Sequence, residues 1–176
     1  MRRACLRPAL CLAITVSLLG VLPAQADSDE EAAEPAVKEA EVPFPAYPAT
    51  ESLLDFDAGP ASGNKFMIDQ KSISIGEDGV VRYVLVIRSP SGVDNVSFEG
   101  MRCETLQRRL YATGRADRTW SRSRNDKWME IASSTLSLPH RALARLYLCD
   151  HGLPIRSARE GIEAIRRGGP PGWLGS

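Results

Sequence analysis

Cysteine and histidine are the residues of this sequence with the most potential for chemistry. Two cysteines follow the N-terminal leader, Cys103 and Cys149, and the chain has two histidines, His140 and His151. A thiol with a histidine as base could be a nucleophile. Cys149 and His151 could also bind a metal ion, but structural zinc sites usually show tighter paired spacings. In an exported protein, a disulfide between the two cysteines is the favoured alternative.

A reactive thiolate is not favoured at either cysteine. Cys103 follows Arg102, but neighbouring residues of a strand point to opposite faces. Cys149 is predicted near a helix C-terminus, where the helix dipole disfavours negative charge and favours a protonated His151. We therefore predict a Cys103–Cys149 disulfide, and we predict no catalytic, cofactor-binding or metal-binding residue.

Acidic side chains offer a second route to catalysis. Glu99 and Glu104 could act as paired carboxylates, but nothing in the sequence sets a working separation, and a solvated sheet face explains them equally well. The sequence contains no nucleophile elbow, P-loop or dinucleotide-binding glycine motif. A hydrolase that uses acidic or Cys/His side chains remains the alternative function.

Arginines alternate with tryptophans between residues 114 and 128. Such a stretch can bind phosphates, sugars or an anionic polymer. The other interpretation, which we favour, is a solvated loop whose tryptophans are anchored in the core. Nucleic acid is not an expected ligand, because the domain is exported and barely basic. The candidate binding surface consists of Arg115, Arg118, Trp120, Arg122, Arg124 and Trp128.

The first 26 residues have the features of a secretory signal peptide. Three arginines precede an apolar run, and Ala24-Gln25-Ala26 offers a cleavage site. The mature chain would carry 19 basic and 22 acidic residues and no transmembrane anchor, and we expect it in the periplasm. Residues 27–43 hold seven acids and one lysine, and this composition predicts a disordered acidic linker.

Hydrophobic patterning then predicts an α+β fold, an antiparallel meander with one packed helix. Residues 80–89 follow the turn sequence GEDG and are rich in β-branched and aromatic residues, with one face apolar and the other half apolar, which predicts a central strand. Residues 93–104 predict the next strand, with a bulge near Gly100. A packed helix is predicted at about 137–151. A capping box predicts a peripheral C-terminal helix, followed by a flexible tail, within residues 153–176.

The chain resembles the cryptic neisserial protein one-like family of small exported proteins. The resemblance rests on DGVVRYVLVIRSPSGVDNVSFEGMRCE, then YATG, two tryptophans and LYLC, in that order. It covers the predicted domain at 44–152 and implies an exported or periplasmic protein, with no known reaction, cofactor or catalytic residue. We therefore expect a non-enzymatic protein that binds an envelope protein or polymer.

Overall fold

An antiparallel sheet of eight strands is the framework of the domain in the computed structural model, which describes residues 42–59 and 63–169. The predicted signal peptide, most of the acidic linker and the tail after residue 169 lie outside the described residues. The strands are β1 (Leu53–Asp55), β2 (Lys65–Asp69), β3 (Ser74–Ile75), β4 (Val81–Arg88), β5 (Asp94–Arg102), β6 (Gln107–Gly114), β7 (Trp120–Arg122) and β8 (Met129–Glu130). Their order is β1-β2-β4-β5-β6-β7, with β3 paired to β4 and β8 paired to β6.

The central strands form where β-branched and aromatic residues are densest. Strand β4 is buried on both faces, which explains why its sequence reads as an almost continuous apolar run. The GEDG turn joins β3 to β4, and Gly79 has a φ of +70° there, a conformation that favours glycine. The predicted fold class, an antiparallel α+β fold with one disulfide, is confirmed.

The predicted bulge near Gly100 is wrong. Strand β5 alternates regularly, with Phe98 facing one core and Met101 the other, so both of its faces are covered. The register shift lies in β6, where Phe98 is opposite Ala112 and Glu99 is opposite Leu110, which leaves Tyr111 as the extra residue.

A short helical layer covers one face of the sheet. Helix α1 (Leu138–Ala142) continues directly as one stretch of π-helix (Leu143–Leu148), and a hairpin of β9 (Cys149–Asp150) and β10 (Leu153–Pro154) follows. The predicted helix at 137–151 therefore ends at Leu148, and Cys149 lies in a strand. Single 3₁₀ turns occur at Thr50–Ser52 and Thr135–Ser137.

Helix α2 (Ala158–Arg166) begins as its capping box predicts. The Ser157 side chain accepts a hydrogen bond from the Glu160 backbone N–H, and Gly168 follows the helix with a φ of +76°. Ile165 is buried in the core beneath the helix. Every helix within the described residues is too short or too polar to span a bilayer.

The sheet separates two hydrophobic cores. Tyr83, Leu85 and Met101 face the helical layer, together with residues of α1, the π-helix and α2. The second core lies on the opposite face and consists of Met67, Val84, Val86, Val96, Phe98, Tyr111 and Ala112, with Val42, Phe44, Tyr47, Leu53 and Trp120 packed against it.

Candidate functional site

The second core is covered by an N-terminal segment, residues 42–48, which we call the strap. Its sequence is VPFPAYP, and none of its residues belongs to a strand or helix. Three prolines lock φ in the extended range and remove backbone N–H donors, so this sequence favours an extended path without strand pairing. Phe44 and Tyr47 pack on the sheet from this path.

Trp120 attaches the strap to the sheet. It begins the edge strand β7, and its ring centroid lies 6.5 Å from that of Phe44 and 5.3 Å from that of Tyr47. The indole Nε1–H donates a 2.9 Å hydrogen bond to the carbonyl of Pro45. Phe98 of β5 lies beneath, 6.4 Å from the Trp120 ring. Trp120 therefore anchors part of the chain's own structure, as the second interpretation of the sequence holds.

Gly114 provides the space in which Tyr47 lies. It ends strand β6 opposite Trp120. A Cβ atom at position 114 would lie 2.8 Å from the Tyr47 hydroxyl oxygen and 2.8 Å from Val96 Cβ, closer than real Cβ contacts. The absence of a side chain at Gly114 thus allows the aromatic ring of the strap to approach the sheet.

Three exposed arginines surround the strap. The guanidinium carbon of Arg118 lies 5.5 Å from the Tyr47 ring centroid, and its Nη2 donates to the Pro48 carbonyl at 3.3 Å. The guanidinium carbon of Arg122 lies 4.8 Å from the Phe44 ring centroid. The carbonyl of Arg115 accepts a 3.3 Å hydrogen bond from the Tyr47 hydroxyl.

The turn between β6 and β7 positions two of these arginines. Asp117 accepts hydrogen bonds from the Thr119 backbone N–H and hydroxyl, and these bonds lower the pKa of the Asp117 carboxyl. Arg118 has a φ of +64°, which the turn imposes on it. The turn folds back so that Arg115 and Arg118 both lie near the strap.

Arg124 and Trp128 are the two remaining members of the candidate surface. Trp128 precedes β8, whose Met129 pairs with Arg108 at the opposite end of β6 from Gly114. Its ring lies 4.1 Å from the guanidinium carbon of Arg102. Arg124 is exposed on the segment between β7 and β8. The structure therefore gathers Arg115, Arg118, Trp120 and Arg122 around the strap and places Trp128 at the other end of β6.

A buried polar cluster lies beneath helix α1 on the other face of the sheet. Nε2 of His140 lies 2.8 Å from Oε2 of Glu99, and both side chains are almost fully buried. The Ser97 hydroxyl donates to Glu99 Oε1 at 2.7 Å, and the Tyr83 hydroxyl donates to Oε2 at 3.3 Å. At 2.8 Å the contact between His140 Nε2 and Glu99 Oε2 is within ion-pair distance, and it carries both charges when the imidazole is protonated.

Electrostatics within this cluster favour a charged Glu99. Burial raises the pKa of the Glu99 carboxyl. The charge and hydrogen bonding of His140, together with Arg108 and Ser97, lower this pKa by more than burial raises it, so the net shift is downward. Burial and the Glu99 charge raise the pKa of Tyr83 well above its usual range, so its hydroxyl stays protonated and donates.

The sequence analysis missed this cluster. From the sequence, a paired carboxylate and a residue on a solvated sheet face were equally good explanations of Glu99, but Glu99 is only 3% exposed, which excludes the solvated face. One available signal was its position two residues before buried Met101, on the same face of β5. The partner could not be read from the sequence, because the Glu99–His140 contact depends on where α1 crosses the sheet.

The cysteines form the predicted disulfide, and His151 lies near it. The Cys103 and Cys149 sulfurs are bonded, which joins the end of β5 to β9 and leaves neither as a thiol. His151 lies in the turn between β9 and β10, not beside a helix end, and its side chain is 96% exposed. The described residues contain no group of three or more His, Cys, Asp or Glu side chains that could hold a metal ion.

Comparison with known proteins adds a family assignment. Residues 32–166 match the model of the CNP1-like family, a range that includes part of the acidic segment and all of helix α2. Cryptic neisserial protein 1 of Neisseria gonorrhoeae (strain ATCC 700825 / FA 1090) is 29% identical over 145 residues, which cover 73% of this chain and 71% of that protein. No solved structure matches. The chain belongs to the CNP1-like family.

Proposed function

We propose that the mature chain is an exported, periplasmic, non-enzymatic protein that binds a negatively charged envelope partner or polymer. Two features support export: the signal-like leader and a disulfide of the kind that persists in oxidising compartments. The proposed binding surface consists of the exposed arginines at the strap.

The observation that carries this proposal is the gathering of Arg115, Arg118 and Arg122 on one surface. All three residues are exposed, and two of their guanidinium groups lie near the aromatic rings of the strap. Guanidinium groups bind carboxylates, sulfates and phosphates in two-point geometry, and an aromatic ring beneath them limits their motion. Such a surface suits an anionic chain with repeated charges.

A polymer-binding assay tests the proposal. Dextran sulfate is the probe, uncharged dextran is the control polymer, and the protein is the mature chain with its disulfide intact. We expect salt-dependent binding to dextran sulfate alone, and a loss of about tenfold in Arg118→Gln/Arg122→Gln. The matched control is Arg145→Gln/Arg159→Gln, which removes two exposed charges from the helical layer. Equal losses in both double variants would reject the arginine surface.

The Glu99–His140 pair favours a second candidate function, a periplasmic hydrolase. A carboxylate beside a histidine is one element of a nucleophile-activating set. However, the Ser97 hydroxyl, which could act as the nucleophile, donates its hydrogen bond to Glu99 and not to His140. A cavity of about 490 Å³ beside the disulfide is lined by Glu104 and His151, but not by either residue of the pair. Hydrolysis of an activated ester that His140→Gln abolishes would support the hydrolase.

A further inference from the structure

We propose that the sheet face under the strap is a binding seat for an extended, proline- and aromatic-rich segment of a partner polypeptide. The strap occupies this seat within the same chain. This proposal rests on the proposed function, because both place the binding surface at the strap. The ligand of the seat differs from the anionic polymer proposed above, since the strap sequence VPFPAYP, which occupies the seat, has no charged side chain. The seat consists of Val84, Val86, Val96, Phe98, Ala112 and Trp120.

The two exposed residues of the strap are three positions apart in the sequence. Pro43 and Ala46 are exposed, and every other residue of the strap is buried or half-buried. A polyproline II helix has three residues per turn, so one residue in three faces away from a surface on which it lies. A three-residue spacing of exposed side chains is expected for a polyproline-like segment that lies on a surface, whereas a strand would expose every second residue.

The hydrogen bonds to the strap match the chemistry of proline. Trp120 and Arg118 donate from their side chains to the carbonyls of Pro45 and Pro48, three residues apart. Proline keeps a carbonyl acceptor but has no N–H donor, so a groove of side-chain donors recognises it without a backbone ladder. Aromatic-lined grooves bind other proline-rich segments in this way.

The aromatic residues of the strap have the same spacing. Phe44 and Tyr47 are also three residues apart, which places both rings on one side of a three-residue helix, facing Trp120. A partner segment with two aromatic residues and two prolines at these spacings would make the same contacts. The ligand is therefore defined by the pattern aromatic-Pro-x-aromatic-Pro.

The strap can leave the seat without breaking the sheet. It precedes every strand, and no described residue between 42 and 49 pairs with one. Its tether gives it a high effective concentration, on the order of millimolar for a short linker, so a free ligand competes poorly with it. Occupation by a partner therefore requires either a weakened strap or a partner held nearby.

A peptide supplied in trans tests the seat. The protein is the full mature chain carrying Phe44→Ala/Tyr47→Ala, which weakens the strap and leaves the seat unchanged. The probe is a synthetic peptide with the sequence of residues 42–50, VPFPAYPAT, and the control peptide has alanine in place of both aromatic residues. The readout is the Trp120 indole N–H resonance, assigned by its loss in Trp120→Phe.

We expect the probe peptide to bind the variant saturably, to return the Trp120 resonance toward its wild-type position, and to bind the wild-type chain at least about tenfold more weakly. The control peptide should not bind. If the double variant does not fold, the single variant Tyr47→Ala, which removes one ring of the strap and leaves every residue of the seat in place, serves instead.

The proposed seat is wrong if a folded variant does not bind the probe peptide, or if the probe and control peptides bind equally. It is also wrong if the variant forms a dimer instead of binding the peptide, which would identify a second copy of the chain as the occupant. The probe is used with an acetylated N-terminus and an amidated C-terminus, so it is uncharged and its binding should not change with salt. A chain that binds the peptide but not dextran sulfate contradicts the proposed function alone, and the reverse result contradicts the seat alone.

Discussion

The imidazole of His140 lies 2.8 Å from the Glu99 carboxylate, and this ion pair joins the first turns of the helical layer to the centre of the sheet. Replacing one member leaves the other buried without its partner, which costs more than the intact pair contributes. The pair therefore specifies where α1 lies on the sheet.

Glu99→Gln is predicted to destabilise the fold by about 3 kcal/mol, because it leaves the buried imidazole of His140 without its carboxylate partner. Urea unfolding of the mature chain measures this change. Asp94→Asn is the matched control, since it removes a carboxylate from an exposed pair with Arg88 and should cost less than about 1 kcal/mol. In a double-mutant cycle with His140→Gln, additive costs would show that the two side chains are not coupled.

Acid should remove the contribution of Glu99. Burial acts against it, but His140, Arg108 and Ser97 hold the pKa of Glu99 below its ordinary value in the folded chain. A lowered pKa stabilises the fold above the unfolded pKa of about 4.3, and this stabilisation is lost as the pH falls through the folded value. The difference in unfolding free energy between wild type and Glu99→Gln should thus shrink as the pH falls below about 4. A difference that is unchanged down to pH 3 would contradict this.

Loss of the disulfide should destabilise the chain substantially. Cys103 and Cys149 are 46 residues apart. A closed loop of that length reduces the conformational entropy of the unfolded chain, which raises its free energy by at most about 4 kcal/mol. Cys103→Ala/Cys149→Ala should lower the free energy of unfolding by up to this amount, and reducing agent should affect only the wild type. A thiol count of zero in the unreduced, unfolded chain is the accompanying measurement, and two free thiols would contradict it.

The sheet was predictable because its signals are local. The run of β-branched and aromatic residues in β4 and the GEDG turn depend on neighbouring residues, and the structure confirms both the strand and the turn. The end of the helix could not be predicted from the sequence. The apolar pattern that includes Leu146 continues to Cys149, but Cys149 pairs with Pro154 as part of β9. Wider π-helical turns at 143–148 keep the burial pattern while the chain leaves the helix.

The candidate site was predictable only in part. Alternation of arginine with tryptophan identified Arg118, Trp120 and Arg122, but their ring contacts involve a segment about 75 residues earlier in the sequence. Long-range contacts of this kind have no signal in a local pattern. The same reason explains why Glu99 and His140 were considered separately.

Gly114→Ala should loosen the strap. The new Cβ atom would lie within 2.8 Å of Tyr47 and Val96, so the Tyr47 ring has to move away from the sheet. Overpacking of this kind costs about 1–3 kcal/mol. Limited proteolysis should cut between residues 42 and 49 faster than in wild type. Gly79→Ala, which strains the positive φ of the GEDG turn without crowding any neighbour, controls for a general loss of stability. Equal protection of the strap in both variants would show that Tyr47 does not need this space.

Trp120→Ala and Trp120→Phe should separate the two ways in which Trp120 holds the strap. Phenylalanine keeps ring contacts with Phe44 and Tyr47 but loses the hydrogen bond to Pro45, so we expect a cost of about 1 kcal/mol. Alanine also removes the half-buried ring, and we expect a cost of about 2–4 kcal/mol, which urea unfolding would measure.

Trp128→Ala is the matched control for this pair, because the Trp128 ring contacts Arg102 at the other end of β6 and is not near the strap. Its loss should cost about 1 kcal/mol and leave proteolysis at residues 42–49 unchanged. Trp120→Ala should expose that segment to cleavage at native pH. A Trp120→Ala chain with wild-type stability and a protected strap would mean that the ring contributes to ligand binding and not to the fold.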